Sequence, residues 1–206
     1  MLTFESPQFE DRQWVQPLLD AEGSLGCEYN FANIYLWSRA WPQQAARLGD
    51  RLLVRIRGKL GLSYLYPAGS GPLAPAVDAL AEDAAAPGLP LTLVCVTGEQ
   101  RAALEGACPG RFSFQEDRDG FDYLYDVNRL ADLPGKKLHA KRNHIRRFDD
   151  QFPDWLLEDI TPANVPECVE LERQWAALRQ EAAGEDGNTV SEETVAVIEA
   201  LYHMDK

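Results

Sequence analysis

The sequence predicts an α/β fold of the α+β kind, a mixed sheet flanked by helices. Three observations carry that prediction. Helix-patterned and strand-patterned segments alternate over residues 1–126, the arrangement that builds sheet-and-helix layers. Apolar residues are 45% of the chain and charged residues 26%, which excludes a disordered tail, a collagen and a disulfide miniprotein. The 206 residues are enough to bury about 70% of the unfolded surface and correspond to between one and two domains.

Taken in order, residues 7–21 predict a helix, with Phe9, Trp14, Val15, Leu18 and Leu19 at helical spacing. Gly23 and Gly26 end it. Residues 27–37 read as a loop entering a helix, with Asn30 as its cap. Residues 50–57 and 62–66 are two strands around a turn at 58–61, a hairpin signal. The breaker cluster at 67–72 precedes a helix at 73–85, which Pro87 and Gly88 stop. Residues 91–96 read as a buried strand. Thr97 and Gln100 form a capping box that opens the next helix, to Gly106. Residues 112–115 and 121–125 read as two more strands around a polar turn.

After Asp126 the pattern turns helical. A short helical turn at 127–133 ends at Pro134 and Gly135, and a long helix at 136–152 ends at Pro153. A short strand at 155–157, a helix at 162–183 and a loop at 184–187 follow. Ser191 is the expected cap of a last helix with Val195, Ile198 and Leu201 on one face. Residues 1–126 are thus expected to form one domain, and 127–206 a bridging helix with further helices.

Cys27, Cys95, Cys108 and Cys168 show no C-x-x-C pair and no ligand spacing to the histidines. Free thiols are expected, and no metal site. Residues 1–6 lack the basic and apolar regions of a signal peptide, and the apolar run near 89–96 is too short to span a bilayer. A cytoplasmic protein is the expectation.

The net charge is −13, which argues against general affinity for nucleic acid or anionic lipid. That charge is uneven. Residues 136–157 carry 6 cations and 3 carboxylates, between two acidic stretches. On a helix of about 100° per residue, Leu138, Ile145, Phe148 and Phe152 share an apolar arc, with Lys141 inside it and Arg142 at its edge. A cation within an apolar arc needs an anionic partner. That partner is either an internal carboxylate, from Glu28, Asp122 or Asp126, or a phosphate or carboxylate of a substrate. A third reading is a nucleic-acid backbone along the outward Lys and Arg side chains. His144, near the edge of the arc, is either a proton carrier or a hydrogen-bonded structural histidine.

The Gly69-Ser70-Gly71 loop lies between a strand and a helix. Free N–H groups there would cradle a phosphate; a plain connection is the other reading. Tyr29, Phe31, Tyr35 and Trp37 read as core, and Tyr123 and Tyr125 share one strand face.

Five segments together resemble a known family. They are Cys27-Glu28-Tyr29-Asn30-Phe31-Ala32-Asn33-Ile34-Tyr35-Leu36-Trp37, Arg118-Asp119, Phe121-Asp122-Tyr123-Leu124-Tyr125, residues 130–135, and Lys136-Lys137-Leu138-His139-Ala140-Lys141-Arg142-Asn143-His144-Ile145-Arg146-Arg147-Phe148. The resemblance is to the family named for the C-terminal domain of phosphatidylglycerol lysyltransferase, and it covers nearly the whole chain. It implies a tandem of two GNAT-like acyltransferase folds, with residues 1–126 as the first and the 136–152 helix leading into the second. The family's members are longer, so the second half is expected to be represented only by its leading helices.

The resemblance also implies transfer of an acyl or aminoacyl group to an amine or hydroxyl. The implied donor is an acyl-coenzyme A or an aminoacyl-tRNA. The implied substrate-binding residues are Glu28, Asn33, Lys141, Arg142, Asn143 and His144, and no catalytic residue is assigned. The alternative is a non-catalytic module that associates with a second copy through apolar surface on its last two helices.

Overall fold

In the computed structural model the described residues are 2–58, 61–183 and 187–203. The hairpin signal becomes the centre of a five-stranded sheet. Its strands are β1 (Gln43–Leu48), β2 (Arg51–Gly58), β3 (Gly61–Leu65), β4 (Ala68–Gly69) and β5 (Leu93–Val94). The order is β1-β2-β3-β5, with β4 beside β2. β2 runs antiparallel to β1, with Ala45 opposite Val54, and antiparallel to β3, with Arg55 opposite Tyr64. β3 and β5 are parallel, with Tyr64 opposite Leu93.

Both faces of this sheet are covered, and the alternation of β2 sorts them. Leu52 and Val54 enter a core shared with Val15, Leu19, Phe31, Ile34 and Leu104. Leu53 enters the other, with Tyr64, Ala76 and Leu80. The first core draws on α1 (Arg12–Glu22), α2 (Phe31–Trp37) and α4 (Gly98–Ala107); α3 (Leu73–Ala85) supplies Ala76, Leu80 and Ala84 to the second and Leu73 and Val77 to the first.

Local signals explain where these helices start and stop. The Asn30 side chain accepts from the N–H of Asn33 at 2.8 Å and caps α2. The Thr97–Gln100 capping box at α4 is complete in both directions. Gly23, at φ 73°, closes α1, and its N–H donates to the Leu19 carbonyl.

β1 is a strand that residue patterning missed. Gln-Gln-Ala-Ala-Arg-Leu lacks β-branched and aromatic residues, so it has little strand propensity of its own. Pairing with β2 and burial of Ala45 and Ala46 impose it. The predicted strands at 112–115, 121–125 and 155–157 are instead irregular segments without ladder partners. The alternation at 112–115 is used all the same, because Phe112 and Phe114 pack partly buried on the first core. The strand expected at 91–96 shortens to two residues.

The remaining helices are α5 (Val127–Asp132), α6 (His139–Gln151), α7 (Val165–Ala183) and α8 (Gly187–Leu201). A 3-10 turn, Lys136–Leu138, takes the first turn of the helix expected at 136–152. α8 begins at Gly187, so Ser191 lies inside the helix and is not its cap. Residues 59 and 60 of the predicted turn, and 184–186 of the predicted loop, lie outside the described residues.

The chain divides into two compact units, Met1–Asp117 with Thr161–Lys206, and Arg118–Ile160. In the first, α8 meets α2 through a polar knot. The Tyr35 hydroxyl donates to Glu199 at 2.5 Å and lies 3.1 Å from His203 Nε2, while the His203 ring stacks on Phe9 at 4.8 Å. The second unit holds α5 and α6. None of its residues is buried, and only Leu133 and Leu138 are even half-buried.

Candidate functional site

Helix α6 carries four of the residues singled out from sequence: Lys141, Arg142, Asn143 and His144. All four are exposed. The apolar arc that was to enclose Lys141 is itself open to solvent, with Ile145 52%, Phe148 47% and Phe152 48% exposed. The Phe148 ring packs against those of Phe152 and Trp155, at 5.1 and 5.8 Å between ring centres. Lys141 therefore needs no anion to offset burial, and it has no ion-pair partner among the described residues.

Arg142 does have partners, and they are not anionic. Its Nη1 donates to the carbonyl oxygens of Leu133 and of Gly135, the latter at 3.0 Å. Leu133 ends α5 in the left-handed region, at φ 44°, which a side chain disfavours. Arg142 thus braces the corner between α5 and α6. A helical wheel cannot reveal this, because the acceptors belong to the preceding turn. Asp126, one of the carboxylates expected opposite the basic helix, caps α5 by accepting from the Arg129 N–H at 2.9 Å. Arg142→Ala is expected to speed amide exchange at residues 133–138 about fivefold, with β2 unchanged. Exchange mass spectrometry checks it.

Two side-chain pairs organise the rest of the α6 face. Asn143 Nδ2 donates to His139 Nε2 at 3.2 Å, and Arg147 Nη2 donates to His144 Nδ1 at 2.7 Å. An arginine can only donate, so His144 Nδ1 is the acceptor of that bond. Asn143, His144, Arg147 and Asp150 line a shallow open depression along the helix. Glu28 and Asn33 belong to the other unit, Glu28 in the 3-10 turn Cys27–Tyr29 and Asn33 in the first turn of α2. Both are half-buried.

A buried polar cluster that the sequence did not reveal lies in the first unit. Arg51, at the start of β2, donates from Nε to the Gly71 carbonyl at 2.8 Å and from Nη1 to the Pro67 carbonyl at 2.7 Å. Its Nη1 also lies 3.8 Å from Glu22 at the end of α1; the two side chains are 10% and 12% exposed. Gln100 Nε2 donates to Glu22 at 3.1 Å, and Gln100 Oε1 accepts from the Tyr29 hydroxyl at 3.2 Å. The only sequence signal was a cation leading an apolar strand.

This cluster also answers the question of the Gly69-Ser70-Gly71 loop. Its carbonyl at Gly71 turns onto Arg51, and the Gly71 N–H donates to the Asp50 carbonyl at 3.4 Å. Both groups of Gly71 are spent inside the protein, which favours the plain connection.

Burial raises the Glu22 pKa above its ordinary 4.5, and the Gln100, Arg51 and Gly69 contacts oppose the rise. Burial likewise raises that of Tyr29. A carboxyl with a raised folded pKa binds its proton more tightly folded than unfolded. Its share of stability is present below about 4.5 and is lost as pH rises through the folded value. Melting temperatures of the protein, relative to Glu22→Gln, are therefore expected to fall as pH rises from about 4 to 8.

The model of the family described as phosphatidylglycerol lysyltransferase, C-terminal, matches residues 22–206. The chain belongs to that family. A solved structure, a conserved protein of unknown function from Bacteroides thetaiotaomicron VPI-5482, is 33% identical over 100% of this chain and 68% of its own, with a TM-score of 0.87. No curated protein matches. In this member of the phosphatidylglycerol lysyltransferase C-terminal family, the match takes in the whole Arg118–Ile160 unit, the first unit from residue 22 on, and Glu28, Asn33, Lys141, Arg142, Asn143 and His144. Among the described residues no helix is long and apolar enough to cross a membrane.

Proposed function

We propose that this chain serves acyl or aminoacyl transfer from a phosphate-bearing donor, an aminoacyl-tRNA or an acyl-coenzyme A, to an amine or hydroxyl acceptor. One observation carries the reading. In a family member of net charge −13, Lys136, Lys137, Lys141 and Arg146 stand exposed on one turn-and-helix segment with no carboxylate between residues 133 and 148. Phosphates are the ligand such a segment suits. Asn143 and His144 add hydrogen-bonding groups beside the cations, and Arg142 fixes the corner from which the helix projects.

The chemistry is direct. The acceptor's nitrogen or oxygen attacks the donor's ester or thioester carbonyl carbon. A C–N or C–O bond forms, the donor's C–O or C–S bond breaks, and the acceptor's proton ends on the departing hydroxyl or thiol. No covalent enzyme intermediate is needed. The GNAT-like reading of the first unit, with its parallel β3–β5 pair, belongs to this proposal, as do Glu28 and Asn33 as substrate contacts.

The test supplies each donor separately, labelled in its acyl group, with phosphatidylglycerol vesicles or a soluble amine. Label is expected in the acceptor from one of the donors. Lys141→Ala with Arg146→Ala is expected to weaken binding of that donor at least tenfold at an unchanged melting temperature. Binding of neither donor would overturn the reading.

A second reading, association between copies, is favoured by Leu171, Trp175 and Leu178. They recur at i, i+4 and i+7 on α7 and are 67%, 40% and 67% exposed. Sedimentation that remains monomeric at every concentration removes it.

A further inference from the structure

Helix α7 carries two apolar faces, and its own unit covers one of them. On the first, Val165 and Val169 are buried, and Cys168, Glu172 and Ala176 are half-buried. α7 packs along α8, and on this side the Thr194 hydroxyl donates to Glu172 at 3.0 Å. The second face is Leu171, Trp175, Leu178 and Ala182, and all four are exposed. Their spacing of four, three and four residues is that of a coiled-coil seam, on which another helix seats. Charged residues flank the seam. Glu172 and Arg179 lie along one flank, and Glu167, Gln174 and Glu181 along the other. The Arg179 guanidinium lies 5.3 Å from the Trp175 ring centre, so it leans over the seam.

We propose that this face pairs with the same face of a second copy, as two antiparallel α7 helices related by a two-fold axis. The proposal rests on the association reading above and fixes its geometry. Charge selects the orientation, because flanking residues of one helix meet those of the other across a seam. In the antiparallel register that uses only the exposed face, Trp175 meets Leu178 of the second copy and Leu171 meets its Ala182. Glu172 then faces Arg179, and the two-fold axis repeats the pair, so opposite charges meet twice. A parallel arrangement instead sets Glu167 against Glu172, like charges at the same seam.

The test is sedimentation of the full 206-residue chain over a range of concentrations. Association that rises with concentration is expected. Arg179→Glu should weaken it at least tenfold, because carboxylates then face carboxylates. Glu172→Arg should weaken it as much, because arginines then face arginines. Mixed together, the two variants should associate with each other as the unaltered chain does with itself, since each restores the opposite charge that the other has lost. Glu172 also accepts from Thr194, so the mixture is read only if the melting temperature of Glu172→Arg shows it folded; otherwise Arg179→Glu alone decides. Association that Arg179→Glu leaves unchanged overturns the antiparallel seam while the association reading stands. So does a mixture of folded variants that stays monomeric. A chain that is monomeric at every concentration overturns both.

Discussion

Arg51→Ala is expected to destabilise the first unit by about 3–5 kcal/mol, the range for breaking a buried ion pair from one side. The change leaves the Pro67 and Gly71 carbonyls without their donor. It also leaves Glu22, already disfavoured as an anion by burial, without its cation. For a domain of this size the melting temperature should fall by roughly 6–20 °C. Adding Glu22→Gln to Arg51→Ala should recover part of the loss, because it removes the stranded charge. A loss below about 1 kcal/mol, the scale of a surface pair, would show that the cluster is not the tie between α1, β2 and the 67–71 loop described above.

Gly69→Ala is expected to cost at least about 3 kcal/mol. Gly69 sits at φ +123°, and a Cβ there would lie 2.2 Å from the Asp50 carbonyl oxygen, 3.2 Å from its carbon and 3.4 Å from Arg51 Cα. These are backbone atoms at the head of β2, so relief must come from separating β4 from β2, where Gly69 pairs with Arg51. Gly23→Ala is the control. Its φ of +73° is also left-handed, but nothing lies within 4 Å of the added carbon. It should cost about 1 kcal/mol. Equal losses at the two sites, read from urea midpoints, would mean that conformation alone sets the cost and the close approach does not.

Legibility in the sequence followed the range of each interaction. The Asn30 cap and the Thr97–Gln100 box were readable because donor and acceptor lie three residues apart. The β2–β3 hairpin was readable for the same reason. β1 was not, because its strand character comes from β2 and not from its own residues. The strands expected at 121–125 and 155–157 failed in the opposite sense. Their alternation is present in the residues, but a strand is a relation between two segments and the second is missing from the described ladder.

The same division applies to the candidate site. The basic segment was plain from charge alone, and its cations are exposed. The partner of Arg142 was misread, because a wheel projects side chains around one helix and omits the corner before it. The Glu22–Arg51–Gln100–Tyr29 cluster joins residues up to 78 apart in sequence. No spacing rule could have gathered it.

The central claim is that the exposed cations of residues 136–147 hold the phosphates of a transfer donor. The most direct measurement is the affinity of the 206-residue chain for each donor across salt from about 50 to 200 mM. With Lys136, Lys137, Lys141 and Arg146 engaged, log affinity should fall against log salt with a slope of about −3, and Lys141→Ala should reduce that slope by about one unit. A salt-independent affinity, or a slope that Lys141→Ala leaves unchanged, would contradict the account.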